Sequence, residues 1–301
     1  MAQRPRIAGD AIVRAVPSPS ATVLPLGVRA LVFTEPVIDL HCHVLPGIDD
    51  GPERIEGSVA LARAAADAGV HTLVATPHVS SRYRNDANTI ARLVDVVNAR
   101  LTDEGVALEV LSGAEIAITS VIEIAPEQLS RLGLGGGDWL LMEPPFSAVA
   151  SGLENILSSL QREGHRIMLA HPERCPAFHR DPAMLRSIVR TGVLTSVTAG
   201  SLVGRFGSEV RRFALGLIAE GLVHNVASDA HDHARRPPGM AAELDEAGLG
   251  PLADWLTRAV PSAILGGEAT IPPRPAVELP PITTTRRGWW RQHRDRFTQA
   301  S

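Results

Sequence analysis

Short apolar, β-branched runs alternate along the chain with longer segments whose apolar residues recur at helical spacing. The runs predict seven strands, at 36–40, 71–75, 107–111, 139–142, 166–170, 194–198 and 222–227. The longer segments predict helices at 54–69, 87–105, 152–164, 181–192, 208–221 and 236–248, each closed by a glycine. Strands that alternate with helices are typical of a parallel α/β fold, either a barrel or an open sheet.

Histidine, aspartate or glutamate, the residue types that commonly bind metals, follow six of the seven predicted strands. The first strand leads into "DLHCH" and "DD", and the second ends at "TPH". The third, fourth, fifth and seventh lead into "GAE", "ME", "HPER" and "SDAHDH". In α/β barrels the functional site lies at the C-terminal ends of the strands. The shared placement therefore favours a barrel over an open sheet and predicts a metal site at that end.

The spacing of these residues suits a cluster of ligands. Residues i and i+2 of a strand point to the same side, so His41 and His43 can face one site while Cys42 faces away. Asp229 and His231 repeat this spacing. Imidazole and carboxylate together suit zinc, manganese or ferrous iron. The set is too large for one ion and fits two or three ions that share carboxylates.

Composition narrows the classes of function. The chain has 301 residues, 45% of them hydrophobic, and a net charge of −4, which does not favour bulk nucleic-acid binding. Its two cysteines imply no disulfide framework, and no apolar run reaches the length of a membrane-spanning helix. The chain has no lysine and 29 arginines, so any cation that binds phosphate here must be arginine or a metal. We expect a cytoplasmic location.

The domain organisation follows from changes in composition. Residues 1–35 read as a flexible leader, 36–268 as the folded domain, and 269–301 as a Pro-rich linker followed by a basic-aromatic tail. The tail, "RRGWWRQHRDRF", favours either a peripheral contact with an anionic membrane surface or an ordinary solvated segment.

At these motifs the chain resembles a known superfamily. "DLHCHVLPGIDDGP", "TPH", "GAEI", "ME", "AHPER" and "ASDAH", in this order, resemble the polymerase-and-histidinol-phosphatase (PHP) superfamily. More narrowly, they resemble the bacterial manganese-dependent protein-tyrosine phosphatases of capsule and exopolysaccharide synthesis. The match spans about 37–264. It implies a distorted (β/α)7 barrel that holds three ions, of manganese or else iron, zinc, cobalt or magnesium.

The resemblance also implies a role for individual residues. The implied ligands are His41, His43, Glu115 and Asp229 for a first ion, Glu115, Glu143 and His171 for a second, and Asp50, His78 and His231 for a third. Arg174 and Arg236 match the arginines that bind substrate phosphate, although Arg235 leaves the second assignment open by one position. Asp50 or His231 is a candidate to assist the leaving group.

The implied activity is hydrolysis of a phosphomonoester without a covalent phosphoenzyme. The expected substrate is a phosphotyrosine protein, namely a tyrosine kinase of polysaccharide export. Two alternatives are a small-molecule phosphatase, such as a histidinol-phosphate phosphatase, and a non-catalytic regulator with the same fold. A third, a metal-dependent amidohydrolase, also begins with HxH but in many cases bridges its metals with a lysine, and this chain has none. A cysteine phosphatase is disfavoured, because Ile48 and Asp181 stand where its arginine would follow Cys42 or Cys175. The sequence does not predict an oligomeric state.

Overall fold

The structure is a computed structural model that describes residues 37–148 and 150–279. The predicted leader and the basic-aromatic tail lie outside the described residues. The described part of the Pro-rich segment, 269–279, forms neither helix nor strand. It nevertheless contacts the domain, since Trp255 Nε1 donates a 3.0 Å hydrogen bond to the carbonyl of Pro272.

Within the described residues, nine short strands form two sheets, and every pairing between these strands is parallel. The three-stranded sheet has the order β1-β2-β4 and the six-stranded sheet the order β3-β5-β6-β7-β8-β9. Their bounds are β1 Val37–Cys42, β2 Val70–Ala75, β3 His78–Val79, β4 Glu109–Ser112, β5 Glu115–Ala117, β6 Trp139–Glu143, β7 Arg166–Ala170, β8 Leu194–Thr198 and β9 Asn225–Ala227. The predicted parallel α/β fold is confirmed.

Two of the predicted strands are each followed, after two residues, by a short strand that the sequence reading missed. The second continues past Pro77 as β3, and the third continues past Gly113 as β5, so that both cross from one sheet into the other. Gly113 is required at its position, because a Cβ there would lie 2.7 Å from Val74 Cγ1 on the neighbouring strand. An isolated parallel bridge between Cys42 and Ala230 joins the ends of β1 and β9. Full closure into a barrel stays a prediction.

Helices pack around the strands. Their bounds are α1 Ile55–Asp67, α2 Ala87–Asp103, α3 Pro126–Leu129, α4 Leu153–Arg162, α5 Pro176–Arg180, α6 Pro182–Arg190, α7 Ala199–Leu202, α8 Ser208–Ala219, α9 Ala241–Glu246, α10 Gly250–Asp254 and α11 Val260–Leu265. Five of the predicted helices are confirmed as α1, α2, α4, α6 and α8. The glycine predicted to end the first of them, Gly69, has a φ of +88°, which L-residues with a side chain rarely adopt.

The structure corrects the sequence at three places. The predicted helix 236–248 is reduced to α9, because Pro237 and Pro238 lack the backbone N–H that a helix interior needs. Of the predicted strand 222–227, only Asn225–Ala227 form a strand, β9. The sequence reading missed α10 and α11, which a π-helical turn at Trp255–Ala259 joins. The turn packs against β1 and β9, and α11 packs against β1.

The core lies between the strands and these helices. Leu40, Leu73, Ile116, Leu140 and Met168 are among its completely buried strand residues. Burial of this kind is the main driving force for the fold. Among the described helices, none combines the length and the apolar character that crossing a membrane would require.

Candidate metal centre

The strand ends bring all nine predicted ligands into one connected cluster. His41 lies near the end of β1 with His43 just beyond it, and His78 and Glu115 open β3 and β5. Glu143 ends β6, while His171 follows β7. Asp229 and His231 follow β9, and Asp50 comes from the loop after β1. Eight of these nine side chains are at most 16% exposed, and Asp50 is 47% exposed.

Glu115 lies at the middle of the cluster. Its Oε2 is 3.2 Å from His41 Nε2, 3.3 Å from His43 Nε2 and 3.1 Å from His78 Nδ1. Its other oxygen, Oε1, is 2.7 Å from His171 Nε2. One fully buried carboxylate therefore meets four imidazoles, as a bridge between neighbouring ions would.

Two further groups of ligand atoms adjoin Glu115. Asp50 Oδ1 lies 3.5 Å from His78 Nε2 and 3.4 Å from His231 Nε2, which brings together the three residues assigned to the third ion. Glu143 Oε2 lies 3.7 Å from His78 Nδ1. The geometry also puts His43 with the Asp50 group, so the boundaries between the groups are less strict than the resemblance implies.

Asp229 connects the cluster to two arginines. Its Oδ1 is 3.5 Å from both His41 Nε2 and His43 Nε2. Its Oδ2 accepts a hydrogen bond of 2.5 Å from Arg174 and one of 2.6 Å from Arg236. The Arg235 side chain is exposed. Of the two adjacent arginines, the structure thus places Arg236 against the cluster.

Asp49 is a residue to which the sequence reading gave no role. Its Oδ2 is 2.7 Å from His43 Nδ1 and accepts a 3.2 Å hydrogen bond from the backbone N–H of His78. A carboxylate that binds the outer nitrogen of a metal-binding histidine fixes the tautomer and the ring orientation. The motif "DDGP" thus supplies a candidate ligand in Asp50 and an orienting group in Asp49.

Two candidate ligands have an uncommon backbone conformation. His171 has a φ of +32° and Asp229 a φ of +51°, the only described residues other than glycine with positive φ. Such conformations are unfavourable for residues with a Cβ and concentrate at functional sites. Here the surrounding strands hold both residues where their side chains reach the cluster.

The pKa values of the cluster reflect its crowding. Burial alone would raise the pKa of Glu115, but the neighbouring His41 and His171 hold it well below its ordinary value. Burial lowers the pKa of His78 to about 4, against the opposing effect of Glu115. Burial, together with repulsion from Glu115, raises the pKa of Glu143 to about 8. Glu143 is thus the carboxylate whose charged form is disfavoured, and positive charge bound beside it would favour its ionisation.

The residues fit divalent metal ions. Glu115 Oε2 is buried and has no hydrogen-bond partner among the described residues, although three imidazole nitrogens surround it. Two ligands of one ion, each about 2.1 Å from it, lie roughly 3 Å apart, which is close to the separations seen here. A donor set of imidazole and carboxylate suits manganese, zinc or iron.

The fold and the cluster thus define the class, a parallel α/β protein with a candidate multi-ion centre at the carboxyl ends of its strands. The model of the family described as capsular polysaccharide synthesis, CpsB/CapC, matches residues 37–246. The chain belongs to this family.

Two named relatives are similar to the chain over about two thirds of its length. The chain is 39% identical to the tyrosine-protein phosphatase YwqE of Bacillus subtilis over 197 residues, which are 65% of this chain and 78% of that protein. It is 32% identical over 202 residues to the putative tyrosine-protein phosphatase CapC of Staphylococcus aureus, covering 67% of this chain and 79% of that one. The resemblance to capsule-synthesis phosphatases noted from the motifs is confirmed.

Solved structures agree with this assignment. A chain from the crystal structures of YwqE from Bacillus subtilis and CpsB from Streptococcus pneumoniae, described as unique metal-dependent tyrosine phosphatases, matches with a TM-score of 0.70 and 34% identity. The match covers 80% of this chain and 100% of that one. The phosphotriesterase homology protein of Escherichia coli, at 14% identity, 76% and 98% coverage and a TM-score of 0.52, shares the fold alone.

Proposed function

We propose that this protein is a metal-dependent tyrosine-protein phosphatase of capsular or exopolysaccharide synthesis. The observation that carries the proposal is the buried cluster centred on Glu115, which adjoins two arginines suited to phosphate. Four imidazoles lie around the Glu115 carboxylate at 2.7–3.3 Å. Relatives that carry the tyrosine-phosphatase name, at 39% and 32% identity, support the choice of substrate class.

The proposal assigns the nine clustered residues as ligands of three ions, with manganese as the first candidate. The assigned ligands are His41, His43, Asp50, His78, Glu115, Glu143, His171, Asp229 and His231. Bound divalent ions would supply Lewis-acid stabilisation of phosphoryl oxygens and lower the pKa of a nearby water.

The chain's own groups bind and orient the substrate. Arg174 and Arg236 both donate to Asp229 Oδ2, so their guanidinium groups converge on one point at the edge of the cluster. Planar guanidinium groups bind phosphate oxygens bidentately and stabilise the charge that they carry in the transition state. Asp50 or His231 is the group that we assign to assist the phenolate as it leaves phosphorus, since the conjugate acid of that phenolate has a pKa near 10.

The proposal also includes closure of the two sheets into a barrel, the identity of the substrate protein and the location of the enzyme. Only two residues separate β2 from β3 and two separate β4 from β5, while the Cys42–Ala230 bridge joins the outer edges of both sheets. These features support a distorted barrel of seven strand positions. A tyrosine kinase of polysaccharide export as the substrate protein, and a cytoplasmic location, remain predictions.

The test is phosphate release by the full-length protein after reconstitution with Mn²⁺, with and without a chelator. A phosphotyrosine peptide and histidinol phosphate are compared side by side. We expect turnover that is abolished by the chelator and strongly prefers the peptide. A preference for histidinol phosphate would assign the same site to a metabolic phosphatase, and absence of turnover on both, despite bound metal, would contradict the proposal.

Adjacent arginines provide a matched pair of variants for this assay. Arg236→Ala removes a guanidinium that touches Asp229, and Arg235→Ala removes an exposed one. We expect the first to lower kcat/KM by about a hundredfold, as loss of a preorganised charged donor does. The second should stay within about twofold, because the screened charge of an exposed side chain contributes little.

A further inference from the structure

An aromatic pair borders the candidate phosphate site. The Arg174 guanidinium carbon lies 5.4 Å from the centre of the Phe146 ring and 4.5 Å from that of Phe206. Phe146 is also next to the metal cluster, since its ring centre is 5.7 Å from that of His171. Arginine is attracted to the faces of aromatic rings, so both rings help to hold the guanidinium.

The two phenylalanines differ in exposure. Phe206 is half-buried, whereas Phe146 leaves 55% of its surface to solvent. Among the described residues only four large hydrophobic side chains are exposed, and Phe146 is more exposed than Val96 and Val277 and less exposed than Ile122. An exposed aromatic ring beside a charged cluster offers an apolar surface that a ligand can cover.

The local sequence holds Phe146 beside the cluster. The ring follows β6, which ends at Glu143, and the two residues between are Pro144 and Pro145. Proline fixes its own φ and restricts the residue before it, so this short connection has little freedom. The thiol of Cys175 lies 3.5 Å from the carbonyl of Pro145 and fastens the connection to the segment that carries Arg174.

We propose that Phe146 determines specificity for aryl phosphates, by stacking on the aromatic ring of a substrate whose phosphate Arg174 binds. The inference rests on the proposed function and names the residue that recognises the phenyl group. An aryl phosphate joins its ring to phosphorus through a single oxygen, so the ring must lie next to the phosphate site. Aromatic pairs favour ring centres about 4.5–7 Å apart, a spacing that a ring over the open face of Phe146 can adopt.

A phosphate that lacks an aromatic ring would gain nothing from this contact. Phe146 therefore separates two classes of phosphomonoester that the metal ions and the arginines treat alike. Phe206 is closer to Arg174 and less exposed, so its effect should fall on every phosphate equally. The two residues thus predict different patterns, and the difference can be measured.

The test measures binding rather than turnover. Phenylphosphonate and methylphosphonate are titrated by calorimetry into the full-length Mn²⁺-loaded protein, and the ratio of their dissociation constants is taken. For Phe146→Ala we expect the preference for phenylphosphonate to fall about tenfold, the scale of a lost aromatic pair and its buried area. Phe146→Tyr should retain the preference, and Phe146→Leu should retain part of it.

Two controls define what would overturn the inference. Val96→Ala, a truncation on the exposed face of α2, should leave both constants unchanged. Phe206→Ala should weaken both ligands in parallel. If Phe146→Ala also weakens both in parallel, or weakens neither, the inference is wrong. Because binding does not require turnover, a protein that binds phenylphosphonate preferentially but hydrolyses no phosphotyrosine would contradict the proposed function while supporting the role of Phe146.

Discussion

Glu115 and Glu173 are both fully buried carboxylates, yet their surroundings differ. Four imidazoles surround Glu115, and two of them, those of His41 and His171, hold its pKa well below the ordinary value against the effect of burial. Glu173 accepts hydrogen bonds from the backbone N–H of Thr198, at 3.0 Å, and the Ser201 hydroxyl, at 2.7 Å. Burial raises its pKa.

Burial alone therefore does not distinguish a metal site from a structural carboxylate. Each of the two residues has one oxygen without a hydrogen-bond partner within the described part of the chain. Around Glu115 the neighbours are groups that bind metal through lone pairs. The groups that contact Glu173 are a backbone N–H and a hydroxyl, which donate hydrogen bonds to it. They connect the turn that carries Arg174 to the end of β8 and to α7. The groups that contact each carboxylate, rather than its burial, therefore indicate whether it binds metal.

The difference between Glu115 and Glu173 is tested most directly by neutralising each carboxylate in turn. Glu115→Gln keeps the shape of the side chain but removes the charge that bridges the ligand groups, so we expect the protein to lose at least one ion per chain. We also expect kcat to fall about a thousandfold, because metal ions contribute several kcal/mol to the stabilisation of such transition states. Glu173→Gln should keep its full metal content. Metal content is measured by mass spectrometry after gel filtration, and turnover with a phosphotyrosine peptide.

Equal metal loss in both variants would remove the distinction between the two carboxylates. A folded Glu115→Gln protein that kept all its metal would also contradict the prediction. Near-ultraviolet circular dichroism of both variants serves as the check that the fold is retained. Glu173→Gln is also the matched control, because the substitution and the burial are the same.

A second prediction concerns Asp49, which is not itself a candidate ligand but contacts one. Asp49 contacts His43 on the side away from Glu115, at 2.7 Å. Asp49→Asn should weaken manganese affinity about 10- to 100-fold, the usual effect of losing the carboxylate behind a metal-binding histidine. Activity should return as the Mn²⁺ concentration is raised. Asp67→Asn, an exposed aspartate at the end of α1, should change nothing.

If Asp49→Asn lost activity that added Mn²⁺ did not restore, Asp49 would act on the reaction rather than through His43. The titration of activity against Mn²⁺ concentration separates the two. An unchanged titration curve would mean that the 2.7 Å contact does not affect the ion at all.

The sequence predicted the candidate ligands better than it predicted the elements that carry them. His41 and His43 could be assigned to one side of β1 because strand geometry alternates. The roles of Asp49 and Phe146 depend on loop conformations, which no periodic pattern encodes. The break between β4 and the unpredicted β5 at Gly113 depends on how closely the neighbouring strand approaches, which is a property of tertiary packing.

The missed helices illustrate the same limit. The segment 250–265 contains Pro251 and Pro261, which ordinarily argue against a continuous helix. Both prolines stand in the first turn of a helical piece, where no N–H is required, and the π-helical turn at Trp255–Ala259 joins the two pieces. Burial of Trp255 and Leu256 against the strands stabilises this arrangement, and that gain is visible only in the folded chain.

A third carboxylate, Asp86, extends the comparison to the surface and should show the smallest effect. It caps α2, where its Oδ1 accepts hydrogen bonds from the backbone N–H groups of Asn88, at 2.9 Å, and Thr89, at 3.0 Å. The backbone and the hydroxyl of Thr89 lower its pKa. Asp86→Ala should destabilise the protein by about 1 kcal/mol, which corresponds to a Tm lower by about 3 °C in a domain of this size.

The pH dependence of this effect has a definite sign. Because folding lowers the pKa of Asp86, its charge stabilises the fold above the unfolded value of about 4, and this contribution is lost as the pH falls through the folded pKa below it. Asp86→Asn keeps a capping side chain, so it should match the wild type more closely at acidic pH than at pH 7. Thermal melts of both variants between pH 3 and pH 7 measure this, with Asp95→Ala, exposed in the middle of α2, as control. A Tm difference between Asp86→Asn and wild type that is the same at every pH would show that the Asp86 charge contributes nothing, and that hydrogen bonding alone distinguishes this carboxylate from the two buried ones.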